Sequence, residues 1–266
     1  SQLHAVNNIE EDSELVALRL HKKSLKHNEY AFTVSYGNAN FQEMLWAFKE
    51  LLSQLDIKKI YIACVFDDMR EVGLRFEMLN KESESQDFDI RNSKQTFFPE
   101  LSLQNISEEA IQKIFTDTPA WNTRHELKYR INVNLRSFRN KVFRITPETK
   151  RKILPYAYEI NIGHLESILR TASDNNVQVI TYIAPLLQDL QIPYIQEEYL
   201  DYKKDIERVS IINNAKFFNF EEVVPNKDWG LKQSTQFSSS LEKDYMHFTE
   251  EGHIILANKL AESIQP

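Results

Sequence analysis

The sequence predicts an α/β fold: a doubly wound parallel sheet flanked by helices and interrupted by one inserted segment. Three observations carry this reading. The stretch "KIYIACVF" (59–66) is an unbroken run of β-branched, aromatic and small apolar residues, the pattern of a strand buried on both faces. Before it, "FQEMLWAFKELLSQL" (41–55) places Phe41, Met44, Leu45, Phe48, Leu51, Leu52 and Leu55 at helical spacing on one face. After residue 150 the same alternation of helix and strand resumes, and alternation of this kind belongs to parallel sheets with crossover helices.

The elements come in this order. "DSELVALRLHKKSLKH" (12–27) reads as a helix that Asp12 or Ser13 caps, and "YAFTVS" (30–35) as a short buried strand. Helix 41–55 and strand 59–66 come next. Residues 77–150 break the rhythm and read as an insertion or cap within a single domain spanning 1–266. Its basic run, "RHELKYRINVNLRSFRNKVFR", reads as a solvated helix face. Then come helix 162–176, strand 177–185 ending at Pro185, helix 194–214, strand 215–220 and a closing helix 248–264 with Thr249 as its N-cap.

Composition excludes several classes. The net charge is −7 and no basic stripe dominates, which argues against a nucleic-acid partner. Only 5 glycines are present, with no G-x-G-x-x-G or G-x-x-x-x-G-K, so phosphate-cradling loops are not expected. The single cysteine, Cys64, precludes an internal disulfide or a cysteine zinc site and reads as a small buried hydrophobe. No apolar run is long enough to span a bilayer, so no membrane insertion is expected of this segment. The first residue is Ser rather than Met, which reads as a processed chain or a fragment. No cofactor or metal is expected: there is no H-E-x-x-H, His253 reads as a helix-surface residue, and His125 and His164 have no obvious partners. The carboxylates at 197–198 and 221–222 read as solvated pairs.

The chemistry-bearing stretch is "DYMHFTEEGHIILANKL" (244–260). Asp244 and His247 fall on the turn expected to lead into the last helix. A histidine oriented by a carboxylate is a general base: the acid holds the tautomer and stabilises the imidazolium that forms.

The chain resembles the SGNH (GDSL-type) hydrolase and acyltransferase superfamily. "DYMHFTEEGHIILANKLAE" looks like that family's final block, with its catalytic Asp and His and a Gly five residues after the His. "AFTVSYGNANFQEMLWAFKELLSQLDIKKIYIACVFDDMR" resembles the second and third blocks, and "LRTASDNNVQVITYIAP" and "AKFFNFEEV" the last two strands. The resemblance covers most of the chain outside 77–150.

The resemblance implies a serine nucleophile in a turn after a first strand. The opening "SQLHAVNNIEEDSELVALRLH" looks like the segment that comes after such a strand, which puts Ser1 at the nucleophile position and the strand itself outside the sequence. Ser35, between an expected strand and a helix, is the rival; only one helix separates it from the strand ending at Phe66, whereas the family places another strand between its first and third blocks, so Ser1 is favoured and Ser35 falls in the second block. The implied oxyanion hole falls on Gly37 or Asn38 and on the third-block position, where Asp67 replaces the family's Asn. A carboxylate donates no hydrogen bond unless protonated, so that departure leaves the backbone, Asn38 or Asn40 to take over, or a weak or binding-only site. The expected partner is an acylated small molecule or polysaccharide, and an extracytoplasmic location is favoured over a cytoplasmic one.

Overall fold

The sheet is built from three parallel strands, β1 (Lys59–Cys64), β2 (Gln178–Ile183) and β3 (Lys216–Asn219), in the order β1-β2-β3. The computed structural model describes residues 15–35, 39–74, 150–189, 191–233 and 241–263. β1 pairs with β2 from Lys59↔Gln178 to Cys64↔Ile183, and β2 with β3 from Ile180↔Lys216 to Ile183↔Asn219. The remaining helices are α1 (Val16–Ser24), α2 (Phe41–Gln54), α3 (Pro155–Asp174), α4 (Gln196–Ile212) and α5 (Glu250–Glu262).

Side chains alternate along a strand, so each strand serves two faces. On one face Ile62, Cys64, Val179 and Ile183 meet Phe41, Leu45 and Phe48 of α2, Leu165 and Leu169 of α3, and Tyr202 and Ile206 of α4. On the other, Tyr61, Ala63, Tyr182 and Phe218 meet Val16 of α1 and Leu256, Ala257 and Leu260 of α5. Helices therefore cover both faces. Each fully buried aliphatic or aromatic side chain contributes about 1.5–3 kcal/mol from area removed from water.

Local chemistry sets the helix starts. Asn40 caps α2 by accepting the Glu43 N–H at 3.0 Å. The Phe41 N–H is satisfied by the buried Asn161 Oδ1 at 3.0 Å, which locks α2 to α3. α3 begins at Pro155, seven residues before the expected start, because proline at the first helical position lacks only an N–H that the helix would leave unpaired.

The expected strand at 30–35 does not form. This stretch has no regular secondary structure, and Tyr30, Phe32 and Val34 are 77%, 58% and 44% exposed. Asn28, at φ 59°, ends the turn after α1, and the Ala31 N–H goes to His21 Nδ1 instead of a strand edge. Of the expected insertion at 77–150, all but Lys150 lies outside the described residues.

The chain segments on either side of that stretch are tied together. Arg70 Nε donates to the Lys152 carbonyl at 2.9 Å. The Asp67 carboxylate takes an ion pair from Arg151 and a hydrogen bond from the Tyr194 hydroxyl at 3.2 Å, with Arg70 at 3.8 Å. Gly73, at φ 97°, turns the chain while its carbonyl accepts from Asn40 and its N–H donates to Gln42. Among the described residues, no helix is long and apolar enough to cross a membrane.

Candidate active site

Asp244 and His247 sit on a strand rather than the expected turn. β4 (Trp229–Gln233) and β5 (Leu241–Phe248) form an antiparallel ribbon beyond β3. Leu231 pairs with Lys243 and Trp229 with Phe248, so the four residues Asp244 to His247 stand opposite the single Gly230. On a regular strand, residues three apart point to opposite faces. This wide bulge removes that constraint and brings the two side chains together. His247 Nδ1 lies 2.6 Å from Asp244 Oδ2.

The burial of the pair is graded. The Asp244 side chain is 5% exposed and the His247 side chain 20%. With Asp244 ionised, its carboxylate only accepts, and the contact is then a hydrogen bond donated by Nδ1–H. Nε2 is left with its lone pair for a substrate or nucleophile. This is the arrangement of an oriented general base.

The ribbon is anchored just beyond the pair. Phe248 is fully buried, with the Trp229 ring edge-on at 4.8 Å and the His253 ring at 5.3 Å. The Asp228 carbonyl accepts from the Thr249 N–H at 2.9 Å and from its hydroxyl at 3.2 Å. Thr249 is the N-cap residue of α5, as expected, but its hydroxyl makes no bond to a helix N–H: its single proton is shared between the Asp228 carbonyl and the Glu251 carboxylate. Glu250 and Glu251 lie at the positive end of the helix, and Glu250 also binds Arg19 of α1 at 2.7 Å.

The other expected site residues fare differently. Ser1, Gly37 and Asn38 lie outside the described residues. Ser35 is described, half-buried at the end of the unpaired stretch, and no hydroxyl or thiol among the described residues bonds to His247. Asp67 is not a donor: Arg151, Arg70 and the Tyr194 hydroxyl surround its carboxylate, which binds them as an acceptor. Its neighbour Asp68 behaves otherwise. Burial, and then the Asp67 charge, raise its carboxyl well above the ordinary range. Cys64 is buried and burial pushes its thiol up, which suits an inert core residue.

Two expectations are corrected. His253 is not on the surface: it is completely buried, and neither ring nitrogen has a hydrogen-bond partner. Burial, with Arg19 and His247 adding to it, lowers its pKa to about 4, so the ring is neutral near pH 7. Glu221 is not a solvated carboxylate either; it is buried, bound to Lys203 at 2.5 Å. Among the described residues there is no His, Cys, Asp and Glu grouping suited to a metal ion. A shallow recess at the carboxyl ends of β1 and β2 is lined by Val65, Phe66, Pro185, Leu186, Tyr194 and Tyr199. Open parallel sheets bind ligands at this end.

Comparison with protein-family models, with curated proteins and with solved structures finds no match for this chain.

Proposed function

We propose that the chain is a serine esterase or O-acyltransferase of the SGNH type, on that family's doubly wound sheet, acting on acyl esters of carbohydrate. The observation that carries the reading is the 2.6 Å contact between a buried Asp244 carboxylate and Nδ1 of a partly exposed His247. In this mechanism His247 Nε2 takes the proton of Ser1 Oγ as that oxygen attacks the ester carbonyl. The tetrahedral intermediate collapses by breaking the bond to the leaving alkoxide, which receives the proton from His247. Water or an acceptor hydroxyl then attacks the acyl-serine while His247 takes its proton; the second tetrahedral intermediate breaks the acyl–Oγ bond, and Ser1 Oγ leaves with the proton from His247, which releases the acid or the new ester and restores the serine. Asp244 keeps the ring oriented throughout. The carbohydrate substrate rests on the resemblance alone.

The test is covalent labelling with a fluorophosphonate and then peptide mapping. The expected adduct is on Ser1 and is absent in His247→Ala. An adduct on Ser35 keeps the enzyme and moves the nucleophile. A folded protein that takes no label removes the esterase reading.

Asp67 favours one second reading. Its carboxylate is occupied by Arg151 and Tyr194 where the family has an amide donor. A site short of an oxyanion donor suits an accessory protein that binds the same esters without cleaving them. Retained binding of an acylated oligosaccharide by a chain that takes no label is the result this reading expects.

A further inference from the structure

Gly252 lies in the first turn of α5, five residues beyond His247, and the space around it is taken. A Cβ built there meets the Phe248 Cβ at 2.6 Å and the Asp228 carbonyl oxygen at 2.8 Å. Neither neighbour is the free end of a flexible side chain. One belongs to the residue that closes the β5 bulge by pairing with Trp229, and the other is the oxygen that holds Thr249. Gly163, by contrast, has nothing within 4 Å of its built Cβ.

The bulge explains why this close approach bears on the site. Asp244 to His247 span the gap between two fixed pairs, Lys243 on Leu231 and Phe248 on Trp229. The end at Phe248 is set by the Trp229 ring, by the Asp228 carbonyl through Thr249, and by the backbone of α5 at Gly252. If Phe248 moves, His247 is the next residue to move, whereas Asp244 adjoins the other fixed pair, Lys243 on Leu231. We propose that Gly252 is a positioning residue: the missing side chain lets α5 seat Phe248 where the bulge holds His247 against Asp244. This role rests on the esterase reading in its activity arm only, since the Asp244–His247 bond is measured without any reaction.

The experiment compares the full chain with Gly252→Ala, Phe248→Leu and Gly163→Ala. The first readout is the proton resonance of His247 Nδ1–H, which a charge-assisted bond to a carboxylate moves far downfield and protects from exchange. The second is the rate of fluorophosphonate labelling. The wild type and Gly163→Ala are expected to show the resonance. Gly252→Ala is expected to lose it while still unfolding cooperatively, with labelling slowed about 100-fold, the effect of a misplacement of about 1 Å. Phe248→Leu, which removes the ring but keeps an apolar side chain, is expected to weaken the same resonance, and it decides the matter if Gly252→Ala does not fold. An unchanged resonance in folded Gly252→Ala, or in Phe248→Leu where Gly252→Ala does not fold, overturns the proposal. A wild-type resonance without labelling removes the esterase reading and leaves this one standing.

Discussion

His253 is the residue with the clearest energetic signature. A fully buried imidazole with both nitrogens unpaired costs stability relative to an apolar side chain, about 1–3 kcal/mol for an unsatisfied group. The charges of Arg19 on α1, itself paired with Glu250, and of His247 on β5 act on it. Its pKa falls from the ordinary 6.5 to about 4, so the unfolded chain takes the proton first as the pH drops. The contribution to stability is intact above pH 6.5, is lost progressively from there to pH 4, and is constant below that. The loss is roughly 3 kcal/mol over that window. In His253→Phe it is expected to vanish, and denaturant midpoints at pH 7.5, 5.5 and 4 measure the difference. Equal acid sensitivity in both proteins refutes the assignment. The sequence hid this residue. Six positions after His247, on a helix already supplied with Ile254, Ile255 and Leu256, it read as surface. Which side of α5 faces α1 and the ribbon is a tertiary fact that no single residue announces.

At the scale of the elements, the strands and helices with strong periodicity were legible and the ribbon was not. β1, β2 and β3 each lie within their expected runs, because their central residues pack on both faces of the sheet and are nearly all apolar, with Lys59, Gln178, Lys216 and Asn219 at the strand ends. β5 carries Glu242, Lys243, Asp244 and His247, so it shows no apolar alternation, and its pairing is supplied by β4 across a bulge. The Asp and His were readable as a motif from their spacing and residue types. The bulge that brings them together was not. Asp67 shows the same limit: a strand-end acid was visible, whereas its clamp depends on Arg151, 84 positions away. Asp67→Ala leaves Arg151 and Arg70 without that carboxylate. With side chains between 16% and 35% exposed, the cluster lies between the buried and surface limits, and a loss of about 1–2 kcal/mol is expected by thermal or urea unfolding. No change on substitution makes the clamp incidental.

For the whole molecule, the stretch from Glu29 to Ser35 is the informative failure. Tyr30, Phe32 and Val34 alternate as a strand should, yet they face solvent, and no described residue pairs with them as a strand. A strand is a relation between two edges, and a sequence shows only one of them. Amide exchange over 30–35, apart from the Ala31 N–H held by His21, is therefore expected to be fast, while β2, paired on both sides and buried, exchanges only with global unfolding. Slow exchange over 30–35 would mean that its backbone is paired after all.

The ties that bind Arg70 to Lys152 and Asp67 to Arg151 have a further consequence, for how this chain can vary. They pin the exit and the return of the intervening polypeptide to one place on the core. Closing a loop costs only about 0.6 kcal/mol more for each doubling of its length. The closure term alone therefore changes little with the number of residues joining those two points, so the two ties fix where the chain leaves and rejoins the sheet whatever that number is.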